Sequence, residues 1–367
     1  MVETTVSQQT QEAAVPEYNW IEKLDGLLYA AHLVTHRSNI APDVTRPMSL
    51  RNKRAELYGL AYDGIHDKKA IIAEAHDRDA IAMQYLNQGD ISVTLEGLGT
   101  QTSRYTIIEP PESRKKPGEK PVFIIPGISH DLDAVGAMVQ EFAFAGKKVI
   151  TAGFPESNMG KTTTEFAGAV EKSSGFEAHA AYYKEAINAL LGEEAEVEIV
   201  GFSTGAPVTA EILKDEKFRS RVTRAILISP ACMVDQSSRE FLSGVMHEVK
   251  GLATRLRTLP SYGLIMGRSS RAPEQSNEQG PIKKRIFEAL VQKVKRKLPD
   301  WEKMRVKEGG NITVVVGTKD ELTKSYKGYD VFDGNPQVRF FELANGLHNT
   351  PITEASDIIP QILEMQK

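Results

Sequence analysis

Apolar and polar residues alternate with a period of two over Ile91 to Gly97 (ISVTLEG) and again over Ser103 to Glu109 (SRYTIIE). That pattern predicts two antiparallel strands joined as a hairpin. Farther along, Lys147 to Ala152 (KKVITA) predicts a strand, and the runs Pro121 to Ile125 (PVFII), Arg224 to Ser229 (RAILIS) and Asn311 to Val316 (NITVVV) are mostly apolar. Such runs suit strands covered on both faces, as in a parallel sheet. Two further strands are predicted at Glu196 to Phe202 (EVEIVGF), which alternates, and at Gln337 to Leu343 (QVRFFEL). Helical periodicity falls between them, over Leu132 to Ala145, over Glu177 to Leu191, and at Ala206, Val208, Ala210, Ile212 and Leu213. Strands alternating with helices predict an α/β sheet with helices on both faces.

The remaining patterns lie outside that core. Residues 1–15 are polar and predict a disordered tail. From Asn19, a suitable N-cap, residues Trp20, Ile21, Leu24, Leu27, Leu28 and Ala31 recur at helical spacing. A second helical stretch opens near Ser49, with Leu50, Leu57 and Leu60 on one face. A third runs from Asp67 to Leu86 and is stopped by Gly89–Asp90. Residues 16–90 therefore read as a helical extension. Between the strand ending at Ser229 and the one beginning at Asn311 lie many more residues than a βα connection needs. The organisation predicted is a core of residues 91–233 and 311–367, with residues 234–310 inserted after the sixth strand of that core.

The inserted stretch Pro281 to Leu298 is amphipathic. Ile286, Phe287, Leu290, Val291, Val294 and Leu298 share one face, and Lys283, Lys284, Arg285, Lys293, Lys295, Arg296 and Lys297 the other. Either the apolar face covers a pocket with the basic residues solvated, or the basic face meets an anionic membrane surface; the two are compatible.

Composition narrows the classes. With 367 residues, 41% of them hydrophobic, the chain is long enough to bury a full core. A formal net charge of −4 argues against nucleic acid as the principal partner. The single cysteine, Cys232, rules out an intrachain disulfide and, following a strand, reads as a buried thiol. No apolar run spans a membrane and the first residues lack the pattern of a secretory signal, so a cytoplasmic location is expected. His66 and His76 with Asp67, Asp77 and Asp79 lack any paired metal-ligand spacing and read as solvated helix faces.

The chemistry concentrates at Gly201-Phe202-Ser203-Thr204-Gly205, a G-x-S-x-G directly between the strand of EVEIVGF and a helical pattern. A serine there sits on a sharp strand-to-helix turn, where side chains two positions either side would strike neighbouring backbone. This stretch resembles the nucleophile elbow of the α/β-hydrolase superfamily, and the resemblance extends over residues 91 to 367. It implies an α/β-hydrolase fold, Ser203 as nucleophile, and an acid and a histidine following in that chain order. Asp320, in Gly317-Thr318-Lys319-Asp320 after a strand, matches the family's acid; Glu321 beside it and Asp235 after the preceding strand are the rivals. His348, in Ala344-Asn345-Gly346-Leu347-His348 after the last strand, matches the base. The resemblance assigns the oxyanion hole to the backbone N–H groups of Ile128 and Thr204, with Gly127, Gly201 and Gly205 permitting close approach. His130, three residues after Gly127, reads as a loop-shaping or pocket-lining residue, and His179 as a packed or solvated helix residue.

Together these imply a serine hydrolase that cleaves a carboxylic ester, with a small-molecule, lipid-like acyl ester as substrate and no metal or organic cofactor. Serine at position 203 counts against the dehalogenase and epoxide hydrolase branches, which carry an aspartate there. A peptidase or thioesterase on the same triad, or a non-catalytic binding protein of the same fold, are the alternatives.

Overall fold

The computed structural model describes residues 4–8, 86–110, 112–128, 135–157, 160–256, 279–298, 300–343, 346–353 and 355–364. The helices expected from Asn19, from Ser49 and from Asp67 lie outside them as far as residue 85, as do His66, His76 and His130.

Among the described residues nine strands form one sheet. They are β1 (Thr4–Gln8), β2 (Leu86–Leu95), β3 (Gly99–Ile108), β4 (Val122–Ile125), β5 (Val149–Ala152), β6 (Val197–Phe202), β7 (Val222–Ile228), β8 (Asn311–Gly317) and β9 (Val338–Leu343). Their order is β1-β2-β3-β5-β4-β6-β7-β8-β9. The β1 to β3 ribbon and its junction with β5 are antiparallel, and every pairing from β5 to β9 is parallel. The described α-helices are α1 (Gly136–Phe144), α2 (Thr164–Lys172), α3 (Glu177–Leu191), α4 (Gly205–Ile212), α5 (Glu216–Arg219), α6 (Ser238–Leu256), α7 (Gln279–Lys293), α8 (Thr350–Thr353) and α9 (Ala355–Glu364), with short 3-10 turns besides.

Burial divides by face of the sheet. On one side Val122, Ile124, Val200, Ile226 and Val315 pack with Met138, Val139 and Phe142 of α1 and Ile358, Ile359 and Ile362 of α9. On the other, Phe123, Ile125, Ile199, Leu227 and Val314 meet Tyr182, Tyr183 and Ile187 of α3 and Val208 and Ile212 of α4. Each central strand thus contributes alternate residues to two cores, which is why the runs carry no polar break. At roughly 25 cal/mol per Å² of apolar surface removed from water, these two layers dominate the stabilisation.

Four expectations are corrected. The first concerns the tail, because Thr4–Gln8 pairs antiparallel with β2, Val6 opposite Ile91; the β-branched TTV segment suits an edge strand. The second concerns the start of the core: Leu86, expected to end a helix, opens β2, and the hairpin register runs from Leu86 opposite Ile108 to Leu95 opposite Gly99. Pairing to a full-length partner strand overrides the local helical spacing.

The third concerns β6, which is buried at all six positions instead of alternating. Glu198 is tolerated inside because Lys147 Nζ lies 3.0 Å from its Oε1 and Arg224 Nη1 3.4 Å away.

The fourth concerns the inserted basic helix. Ile286, Leu290, Val294 and Leu298 are buried in the core, but Phe287 is 46% exposed, and Lys283, Lys293 and Lys295 are buried. Their ammonium groups reach into the protein, Lys283 Nζ to Ser157 O at 2.7 Å, Lys293 Nζ to Ser173 Oγ at 2.7 Å, and Lys295 Nζ to Ser238 Oγ at 2.9 Å. The stems cover apolar surface and the heads bind acceptors of other segments, so the solvated basic face is interrupted. Among the described residues no helix is long and apolar enough to cross a membrane.

Candidate active site

Ser203 occupies the turn between β6 and α4 with φ +53°, a left-handed backbone that a serine adopts at a cost of about 1–3 kcal/mol. Its surroundings hold it there. The Ser203 N–H donates to Ile228 O at 2.8 Å, and its C=O accepts from Ala206 N at 3.1 Å and Ala231 N at 3.2 Å. A Cβ on Gly201 would stand 2.6 Å from Gly205 O, and one on Gly205 would stand 2.2 Å from Ile125 O and 2.7 Å from Pro126 O. Glycine at both positions lets the turn close. The second contact also seats the N-terminal end of α4 against the loop leaving β4, so the segments carrying Thr204 and Ile128 adjoin.

His348 comes from the loop after β9 and Asp320 from the turn after β8. His348 Nε2 is 2.9 Å from Ser203 Oγ, and Nδ1 is 2.9 Å from Asp320 Oδ2. The turn fixes the carboxylate, because Leu322 N (3.0 Å) and Thr323 N (2.9 Å) donate to Oδ1 and Thr323 Oγ1 (2.7 Å) donates to Oδ2. An ionised carboxylate can only accept, which assigns the imidazole proton to Nδ1 and leaves Nε2 as the acceptor for the serine hydroxyl. The Phe202 ring lies 5.4 Å from the imidazole, centroid to centroid.

Ser203, His348 and Asp320 are 6%, 2% and 0% exposed. Burial by itself would raise the Asp320 carboxyl, but the His348 charge and the hydrogen bonds from His348 and Thr323 outweigh it and hold the group below its ordinary range. Burial would likewise lower His348; the Asp320 charge and hydrogen bond, with the Glu248 charge, outweigh it and raise the imidazole. The two shifts agree, each partner favouring the charged form of the other.

The rival acids are elsewhere engaged. Asp235 Oδ1 accepts from Lys297 N at 3.0 Å, and Glu321 Oε1 accepts from Tyr326 OH at 2.7 Å. His179 is buried against Phe154, Phe166 and Phe176, with Nε2 3.0 Å from Glu156 Oε1, and so anchors the turn after β5. Cys232 is buried and its thiol is pushed well up by desolvation. Among the described residues no three His, Cys, Asp or Glu side chains gather as a metal site.

Three residues around His348 and Asp320 stand outside the motifs that the sequence predicts. Thr323 clamps Asp320, and its spacing of three from Asp320 is a readable turn signature. Ser229, itself at φ +46°, donates from Oγ to His348 O at 3.0 Å. Glu248 of α6 accepts from His348 N through Oε1 at 2.8 Å; a contact between residues this far apart in the chain leaves no local pattern.

No family model matches the chain, and no curated protein matches it. Solved structures do. A thermophilic esterase from Thermogutta terrifontis superposes with a TM-score of 0.52 at 16% identity, covering 73% of this chain and 93% of its own. An esterase from Exiguobacterium antarcticum gives 0.52 at 15% identity over 73% of this chain and 96% of its own. The enol-lactonase from Burkholderia xenovorans gives 0.52 at 14% identity over 72% and 96%. The fold is the α/β-hydrolase fold. The C-terminal ends of the parallel strands β6, β8 and β9 deliver Ser203, Asp320 and His348 to one point. At these identities the likeness is one of architecture, and the chemistry rests on this chain's own residues.

Proposed function

We propose that the protein is a serine hydrolase that cleaves a carboxylic ester through an acyl-enzyme. The observation that carries this reading is the relay of 2.9 Å contacts from Ser203 Oγ to His348 Nε2 and from His348 Nδ1 to Asp320 Oδ2, at a serine held in a left-handed turn. A serine hydroxyl is a weak nucleophile at neutral pH, so attack requires that its proton leave as the bond to carbon forms. In this reading His348 Nε2 takes the proton while Asp320 stabilises the imidazolium. The carbonyl oxygen becomes an oxyanion, received by the N–H groups of Ile128 and Thr204 beside the positive end of α4. Collapse expels the alcohol, which takes the proton from His348. A water activated by the same histidine then releases the acid and restores Ser203.

The esterase and lactonase neighbours, which share the fold, support an acyl ester as the electrophile. The experiment is a panel of chromogenic esters of increasing acyl length beside matched thioesters and amides, with Ser203→Ala as control. Ester turnover lost in Ser203→Ala is expected. Faster thioester or amide turnover would move the reading to a thioesterase or peptidase, and no turnover of any would favour a binding protein.

A further inference from the structure

Helix α6 lies across the loops that carry the acid and the base, and one stripe of residues at four-residue spacing makes the contact. Gln236, just before the helix, donates from Nε2 to Leu322 O at 3.2 Å and Thr323 O at 3.1 Å. Glu240 Oε1 accepts from Lys324 Nζ at 3.0 Å. Gly244 brings the backbones together, since a Cβ there would stand 2.2 Å from Glu321 O. Glu248, 6% exposed, completes the stripe by accepting from the main-chain N–H of His348 at 2.8 Å. Positions four apart share a helix face, so the stripe is a consequence of helical geometry laid along the Asp320 turn.

We propose that Glu248 is a positioning residue for His348, reaching from the inserted helix to hold the main chain of the base and to place a second negative charge beside it. The inference rests on the serine hydrolase reading above. The His348 main chain is gripped on both sides, its N–H by Glu248 and its C=O by Ser229 Oγ at 3.0 Å, while its ring is gripped by Asp320 and Ser203. All four polar groups of the residue are thereby fixed. Two of the grips, those to the ring, set the direction of Nε2; the other two set where the ring starts from. The helix therefore does more than cover the core, because the base cannot shift without breaking a charge-assisted hydrogen bond to the insertion. Asp320 and Glu248 are the charged groups that bear on the imidazole, and both favour its protonated form.

The test separates the charge from the hydrogen bond. Glu248→Gln keeps an oxygen that accepts the His348 N–H and removes the charge, whereas Glu248→Ala removes both. Glu240→Gln, whose parent pairs with Lys324 and does not touch His348, is the control for a merely structural role of the helix. The rate of Ser203 labelling by a fluorophosphonate is read against pH for each, with circular dichroism as the check on folding. The expected result for Glu248→Gln is a plateau within about threefold of the unmodified protein and an acid limb moved about one pH unit lower. Glu248→Ala is expected to lower the plateau about tenfold, since the buried N–H loses its acceptor. Glu240→Gln should leave the acid limb in place. A Glu248→Gln profile that superposes on the unmodified one would overturn the proposal, with Glu248→Gln carrying the test should Glu248→Ala not fold. Absence of labelling in the unmodified protein at every pH would instead remove the hydrolase reading, and this assignment with it.

Discussion

The closest backbone approach in the elbow offers a perturbation whose size follows from the geometry. Replacing Gly205 by alanine places a Cβ 2.2 Å from Ile125 O and 2.7 Å from Pro126 O, where ordinary contact begins at 3.4 Å. Both neighbours are backbone and neither can rotate away. The start of α4 and the loop after β4 must therefore separate by about 1 Å, an overpacking that costs about 1–3 kcal/mol of stability. The same displacement carries Thr204 away from Ile128 and disturbs Ser203, and a 1 Å misplacement of reacting groups costs about 100-fold in rate. The assay is hydrolysis of a short chromogenic ester together with thermal unfolding. The expected outcome is kcat down about 100-fold with a melting temperature lower by only a few degrees, so that activity falls far more than folding does. Unchanged kcat with a lowered melting temperature would refute the reasoning, because it would show that the separation of the two segments does not matter to the reaction.

Three further outcomes follow from named contacts. Asp320→Asn should lower kcat about 10⁴-fold, because an amide can present N–H to Nδ1 and reverse the tautomer, whereas Asp235→Asn, which keeps an oxygen to accept from Lys297 N and has no contact with His348, should be nearly silent in the same assay. The pH profile of kcat/KM should fall on the acid side at a pH above the ordinary imidazole value of about 6.5, since catalysis needs neutral His348 and Asp320 and Glu248 raise its pKa; an acid limb below that value would contradict the electrostatics. Lys293→Glu should destabilise by about 3 kcal/mol or more, as it buries a carboxylate against Ser173 and Gly175 O. Lys284→Glu, at a side chain 75% exposed, should leave the melt unchanged.

How much of this was legible beforehand differs by residue. The meeting of Ser203, Asp320 and His348 was legible because each lies within a few residues of the end of a strand, and the strands announce themselves by composition. Helix α3 was readable end to end from its spacing. Helix α2 lies outside the periodic stretches that the sequence predicts, although Thr163 accepts from Phe166 N at 3.1 Å as an N-cap should. Helix α9 was hidden in part by Pro360 inside it. Three of the seven basic residues of the insertion looked solvated by pattern and are buried, because acceptors supplied by distant segments cannot be read from the helix that uses them. Glu248 belongs to the same class: its role comes from the way α6 lies along the Asp320 turn, and no local spacing records that.

The central claim is that Ser203 is a nucleophile activated by His348 and Asp320, and peptide mapping of the fluorophosphonate adduct tests it most directly. The account predicts one adduct, on the peptide carrying Ser203, formed quickly by the unmodified protein and slowed by orders of magnitude in His348→Ala. An adduct on any other residue, or labelling of Ser203 at the same rate without the histidine, would contradict it.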